Sequence, residues 1–176
     1  RHGTVPDLRL DPEGFVAFSR DDAPPKAALW TTLARRCLAT ATRAQAEALI
    51  RVEAARMGAH PAGLRISDTR AQWGSCSARG IIQLCWRLGC APPEVMRYVV
   101  IHELAHLRHR HHGPAFWNRV AAYCPDHALH RAWLRREGPA LMALLLALLV
   151  SLMTMPLSSL LSSQMPSPWL SSLLVV

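Results

Sequence analysis

The sequence HELAH occupies residues 102–106 of a chain of 176 residues. It lies in an apolar helical stretch that we predict to run from about residue 94 to residue 110. At 3.6 residues per turn, His102 and His106 project from one face of this helix, where two imidazoles can bind a single cation. Glu103 lies about 100° around the helix, so its carboxylate can reach a water molecule on that cation but cannot easily bind alongside both histidines. The pattern therefore predicts a metal site with a general base beside it.

A third ligand must come from elsewhere, because a catalytic zinc site usually has three protein ligands and one open position. His109 shares the helical face of His102, but it lies about 10 Å further along the axis, too far for metal–nitrogen bonds of about 2.0–2.1 Å. We expect the ligand where the chain turns at Gly113-Pro114, and His111 and His112 are both candidates. No ligand role is assigned to the other histidines, which are His2, His60, His109, His127 and His130.

Charged residues are confined to the first 137 positions of the chain. Lys and Arg number 20 against 12 Asp and Glu, a net charge of +8, and the last charged residue is Glu137. We therefore predict a metal-site domain over residues 1–138 and a separate uncharged tail over residues 139–176. Residue 1 is Arg rather than Met, so we also expect that part of the natural chain precedes this domain.

The tail contains an apolar stretch over residues 140–155. As a helix it would be about 24 Å long, short of the ~30 Å hydrocarbon core of a bilayer. Two interpretations stay open, a membrane segment and a disordered extension. If the tail spans a membrane, Arg135 and Arg136 on its N-terminal side predict that the domain faces the cytoplasm.

Hydrophobic patterning predicts an α+β domain. Helices besides the HELAH helix are expected at about residues 26–57, 115–123 and 127–136. Short strands are expected at residues 8–10, 15–18, 64–67 and 81–86, with a tight connection at residues 73–77. We expect strands 64–67 and 81–86 to pair antiparallel, which gives a small antiparallel sheet packed against the HELAH helix, with flanking helices.

A set of short segments follows along the chain in a characteristic order: residues 73–77 (WGSCS), 86–88 (WRL), 91–95 (APPEV), 98–100 (YVV), 102–107 (HELAHL), 112–117 (HGPAFW) and 133–134 (WL). Together they resemble the YgjP-like metallopeptidases, relatives of the SprT-like proteases among the zincins, over about residues 64–138. The resemblance implies a zincin-like fold and a Zn²⁺-dependent hydrolase of peptide bonds, with His112 as the third ligand. His111 stands where similar sequences often carry Asn, so its contribution to the metal site stays open.

The sequence indicates the residues that support the predicted metal site less specifically than it indicates the ligands. Candidates to stabilise an oxyanion are Arg87, Tyr98 and His111, for each of which packing or surface exposure is favoured. Candidates to accept the second N–H of a metal-bound imidazole are Asp68, Glu94 and Asp126, for each of which a cap or an ion pair is favoured. Strand 81–86 is interpreted either as an edge that binds an extended peptide or as a core strand. The tryptophans are interpreted as packing residues: Trp73, Trp86, Trp117 and Trp133.

Two functional classes follow from these patterns. The favoured one is a peptidase acting on peptides or proteins. The other is a nucleic-acid-associated protease or binding module, suggested by the charge of +8 and the SprT-like kinship, but the chain lacks the zinc ribbon or basic tail expected of it. Five cysteines without a C-x-x-C pair favour a reducing compartment, so we expect a cytoplasmic protein. The substrate and the oligomeric state are not predicted by the sequence.

Overall fold

The computed structural model describes residues 7–11, 14–18 and 27–143. The predicted α+β class is confirmed. The helices are α1 (Ala27–Met57), α2 (Pro93–His106), α3 (Pro114–Tyr123) and α4 (His127–Met142). The strands are β1 (Asp7–Asp11), β2 (Gly14–Phe18), β3 (Gly63–Ser67), β4 (Gly74–Cys76) and β5 (Ile81–Cys85), and a 3₁₀ turn follows at Trp86–Cys90. Strands β1 and β2 form an antiparallel hairpin.

The second sheet is mixed, in the order β3-β5-β4, so the expected antiparallel pairing of strands 64–67 and 81–86 is wrong. Strand β3 runs parallel to β5, with Leu64 opposite Ile82. The predicted tight connection at residues 73–77 contains β4, which pairs antiparallel with β5 through a turn ending at Gly80, whose φ is +78°. Strand β4 thus occupies one side of β5 and β3 the other. Strand β5 is therefore central, and its interpretation as a substrate-binding edge is wrong.

The core lies between this sheet and the helices α1 and α2. Strand β5 buries Ile82 and Leu84, and α2 buries Val100, Ile101 and Leu104 completely. The predicted packing role of the tryptophans is confirmed: Trp86 is 1% exposed, and Trp73, Trp117 and Trp133 pack against the edge of the core. Helix α2, which carries the HELAH sequence, is thus held on its apolar side by the sheet and by α1.

A buried carboxylate fixes α2 against two other helices. Glu53 of α1 is almost fully buried, and each of its oxygens accepts a hydrogen bond at 2.6 Å, from Arg97 of α2 and from Arg56. Arg97 also donates to the carbonyl of Tyr123 at the end of α3, at 3.0 Å. Since a buried charge-assisted pair has a narrow range of favourable geometries, this network defines where α2 lies relative to α1 and α3.

Helix α4 continues beyond its predicted end at residue 136, through Pro139 to Met142. Gly138 allows α4 to pack closely against Trp73, because a β-carbon at this position would lie 3.0 Å from Cζ2 of that ring. Most of the predicted apolar tail segment lies outside the described residues. Within the described residues, no helix is both long and apolar enough to cross a bilayer.

Arg87 is completely buried and forms an ion pair with Asp68 at 2.6 Å. Asp68 also accepts hydrogen bonds from Trp86 Nε1 at 2.9 Å and from Arg35 at 3.1 Å. Burial alone would raise the pKa of the Asp68 carboxyl, but these hydrogen bonds and the charge of Arg87 together lower it. Two guanidinium nitrogens of Arg87, Nε and Nη2, have no hydrogen-bond partner within the described part of the chain. The buried positive charge is therefore compensated by its ion pair with Asp68. These two candidates for supporting the metal site are therefore engaged with each other instead.

Replacing Asp68 by Asn should destabilise the fold at pH 7 by roughly 2 kcal/mol, because the Arg87 charge stays buried without its partner; a fully enclosed pair would lose about 3–5 kcal/mol, and solvent at Asp68 reduces that. A carboxyl with a lowered pKa contributes stability above its unfolded value and loses it as the pH falls through the folded value. The difference from wild type in urea denaturation should therefore shrink as the pH falls below 3.8.

Asp126→Asn is the matched control, since Asp126 is exposed and makes no side-chain hydrogen bond at the start of α4. Equal stability of the two variants at pH 7 would contradict the role assigned to the Asp68–Arg87 pair.

Candidate metal centre

Three imidazoles converge where the sequence predicts a metal. Nε2 of His112 lies 3.0 Å from Nε2 of His102 and 3.1 Å from Nε2 of His106. Among the described residues, the potential metal-binding cluster comprises these three histidines and does not include His111, whose side chain is exposed. Of the two candidates for the third position, the structure brings His112 to the site.

The convergence depends on a sharp chain reversal. Helix α2 ends at His106, short of the predicted residue 110, and the backbone carbonyl of His109 turns back to lie 3.0 Å from Nδ1 of His106. Pro114 then begins α3. The loop at residues 107–113 thus returns His112 to the face of α2 and gives His106 the carbonyl partner that metal-bound imidazoles commonly have.

Arg110 anchors this loop to the sheet. Its two terminal nitrogens donate to the carbonyls of Ser77 and Ala78 in the β4–β5 turn, at 2.9 and 3.0 Å. Sequence reasoning missed this contact, because one arginine among many carries no signal for a backbone acceptor more than thirty residues away. The guanidinium ties the loop that carries His112 to the strand pair beside the site.

Aromatic rings of α3 form the wall behind the imidazoles. The Phe116 ring is fully buried, and its centroid lies 4.5–4.8 Å from those of the three histidine rings. Trp117 stacks on His112 with ring centroids 5.7 Å apart. These contacts limit the rotation of the rings, so the positions of the ligand nitrogens follow from apolar packing.

The first turns of α4 line the same wall, which the sequence did not indicate. His127 stacks on Trp117 with ring centroids 5.7 Å apart, and Cζ of Arg131 lies over the Trp117 ring, 5.1 Å from its centroid. The Tyr98 ring lies 5.9 Å from His102 and 6.2 Å from His130. His127 and His130 were assigned no role because their helix reads as a polar, solvated one, yet both approach the site through an aromatic ring.

The other supporting candidates differ in position. Of the three oxyanion candidates, Tyr98 is the one whose ring contacts a predicted ligand, and burial raises the pKa of its phenol, which keeps the O–H protonated. Glu94 and Asp126 are exposed at the starts of α2 and α4. Nδ1 of His102 is buried and has no hydrogen-bond partner within the described part of the chain.

The histidines fit a tetrahedral cation in both charge and spacing. Burial, followed by the neighbouring His106, His112 and Arg131, lowers the pKa of His102 to about 3, and burial also lowers the pKa of His106. Both rings are therefore neutral at pH 7, the form in which imidazole binds metals. Bonds of about 2.0–2.1 Å at tetrahedral angles place ligand nitrogens about 3.3 Å apart, within about 0.3 Å of the distances from Nε2 of His112 to Nε2 of His102 and His106.

Glu103 lies beside these rings in an apolar environment. It is 4% exposed, burial raises its pKa to about 8, and its Oε2 has no partner among the described residues. Strand β4 passes so close that a β-carbon on Gly74 would lie 2.7 Å from Glu103 Oε1. Glycine at this position therefore lets the edge of the sheet approach the carboxylate.

Comparison with known proteins gives one family. Residues 18–137 match the model of the YgjP-like metallopeptidase domain. No curated protein matches the chain. Among solved structures, the chain is similar to the metallopeptidase zymogen abylysin of Pyrococcus abyssi, with 25% identity over 47% of this chain and 87% of that one, and a TM-score of 0.42.

Replacing Arg110 by Ala should loosen the loop that carries His112. Loss of two charge-assisted hydrogen bonds, weakened by their exposure, should raise amide hydrogen exchange at residues 109–113 by about tenfold, with little change in global stability. Arg108→Ala removes the same charge from an exposed neighbour with no such contacts and should leave exchange unchanged. Unaltered exchange in Arg110→Ala would mean that the two hydrogen bonds do not hold the loop.

Proposed function

The chain belongs to the YgjP-like metallopeptidase family, and we propose that it is a zinc-dependent peptidase in which Glu103 is the general base. The observation that carries this proposal is the convergence of three imidazole nitrogens beside a buried carboxylate. His102, His106 and His112 would hold the metal.

The donor set favours zinc among the common divalent cations. Three imidazole nitrogen donors suit Zn²⁺, whereas Mg²⁺ and Ca²⁺ prefer six or more oxygen ligands. His112 is exposed, so the site is open to solvent on its side. A three-ligand site with solvent access has the open position that a catalytic metal needs.

The chemistry divides between the cation and the chain. When bound, zinc acts as a Lewis acid that makes water more acidic, polarises a carbonyl and favours the ionised form of a neighbouring carboxylate. Glu103 accepts the proton as the water attacks the peptide carbonyl and passes it to the departing amine. Its apolar surroundings support this role, because burial raises the pKa of the carboxyl above its ordinary value and so makes its ionised form a stronger base.

The substrate would lie along β4. This strand is an edge of the three-stranded sheet, and its far side has no strand partner within the described residues. An extended peptide can pair with such an edge through backbone hydrogen bonds, which select the shape of the chain more than its sequence. Gly74 brings the edge against Glu103, so a peptide paired with β4 would carry its carbonyls past the general base.

The nucleic-acid alternative has less support. The described residues include the basic surface it needs but no cysteine zinc ribbon, since all five cysteines are free and do not belong to the metal-binding cluster found there. Free cysteines agree with the cytoplasmic location that the sequence predicts, and that location stays a prediction.

Glu103→Gln should retain zinc and lose peptide hydrolysis by about 10²–10⁴-fold in kcat, because the amide has a similar shape but cannot accept the proton. The control is Glu94→Gln, an exposed carboxylate in the first turn of the same helix. Zinc content by elemental analysis and turnover of a casein substrate provide the two measurements. Full turnover in Glu103→Gln would refute the general-base assignment.

His112→Ala should weaken zinc binding by more than about 100-fold, because loss of a direct ligand exceeds the 10–100-fold cost of losing an outer partner. Competition with a chromophoric chelator measures the dissociation constant. His111→Ala is the matched control one residue earlier, and it should bind zinc as tightly as wild type. The reverse pattern would assign the third ligand to His111.

A further inference from the structure

We propose that a groove between α4 and the segment leading into β4 is a substrate subsite that binds a peptide carboxylate, through Arg70 and Arg135. The proposal rests on the proposed peptidase function and adds a substrate class to it, peptides that carry an acidic group near the bond to be cleaved.

The groove has a volume of about 340 Å³, enough for one or two side chains. One wall is formed by residues 70–73, with Arg70 and Trp73, and the other by α4, with Leu134, Arg135 and Gly138. Trp73 and Gly138 meet closely at its base. The lining contains two arginines and no carboxylate.

The groove is continuous with the metal centre on both walls. On the sheet side, Trp73 directly precedes Gly74, the residue packed against Glu103. On the helix side, Arg131 lies one turn before Arg135, over the Trp117 ring that stacks on His112. A peptide running along β4 would therefore pass from the general base directly into the groove.

The arginines of the groove are not paired with a carboxylate of the described residues. Within the described part of the chain, Arg70, Arg131 and Arg135 form no ion pair with a carboxylate. All three side chains are exposed and can be reached by a ligand. The two acidic residues nearest in sequence are engaged elsewhere: Asp68 binds Arg87 and Arg35, and Glu137 pairs with Arg136.

Guanidinium groups in such a setting recognise a carboxylate by two parallel hydrogen bonds, and lysine cannot replace them in this role. Glu and Asp side chains and a free C-terminus share this chemistry. The aromatic and aliphatic lining from Trp73 and Leu134 suits the methylene stem of a glutamate.

The test uses the zinc-loaded full chain and a set of short peptides with acetylated N-termini and amidated C-termini. Each position of the peptide in turn carries Glu, Gln or Lys. Wild type should cleave Glu peptides faster than Lys peptides by at least about tenfold in kcat/KM at one or two positions. Arg135→Glu should reverse that order, and Arg135→Lys should retain only part of the preference, because lysine keeps the charge but not the two parallel hydrogen bonds. Arg136→Glu, the same charge change one residue later, should behave as wild type.

Binding to the zinc-free protein gives a second measurement that does not depend on catalysis. Fluorescence anisotropy of labelled Glu and Lys peptides should show the same preference in wild type and its reversal in Arg135→Glu. Peptides with a free or amidated C-terminus distinguish a terminal carboxylate from a side chain, and either result supports the subsite.

Equal cleavage and equal binding of Glu, Gln and Lys peptides by an active, zinc-dependent wild type would overturn the subsite and leave the peptidase function standing. Inhibition by a single-stranded oligonucleotide that Arg135→Glu relieves, without any peptide charge preference, would overturn it in favour of phosphate binding. Absence of zinc-dependent hydrolysis from wild type would instead remove the proposed function.

Discussion

The arrangement of the site depends on the chain reversing direction between His106 and His112. If α2 continued to residue 110, as its pattern predicts, His112 would lie about 9 Å beyond His106 along the axis and no single ion could contact both. The reversal has identifiable causes: the carbonyl of His109 bonds the His106 ring, Pro114 begins a new helix, and Arg110 fastens the loop to the carbonyls of the β4–β5 turn. A local backbone constraint therefore determines whether three histidines form one site.

Apolar packing around that reversal sets both the geometry and the protonation of the site. Phe116 contacts the three rings, and the same enclosure keeps His102 neutral and raises the pKa of Glu103. A solvated cluster of the same residues would have freely rotating rings and a glutamate with an ordinary pKa. The buried Glu53–Arg97 pair and the close contact at Gly74 extend this constraint to α1 and to the sheet.

The residues of the site could be predicted from the sequence better than its surroundings. The spacing of His102 and His106 follows from helix geometry, and the family resemblance selected His112 over His111, which geometry alone left open. Strand β4 could not be predicted, because three residues including a glycine and a serine give no alternation to detect. The parallel pairing of β3 with β5 could not be predicted either, because local patterns do not encode which strands pair or in which direction. The contribution of α4 to the site could not be predicted for another reason. A polar sequence indicates a solvent-exposed helix, yet His127, His130 and Arg131 of α4 contact the aromatic rings that surround the histidines.

The shortness of β4 also affects how the protein behaves in concentrated solution. An open sheet edge invites two copies of a protein to join edge to edge, and long flat edges lead to aggregation. Two copies that joined through this edge could exchange only the few backbone hydrogen bonds that Gly74–Cys76 offers. A strand of this length can therefore pair with a peptide that other contacts also hold, but it is too short to promote self-assembly of the protein.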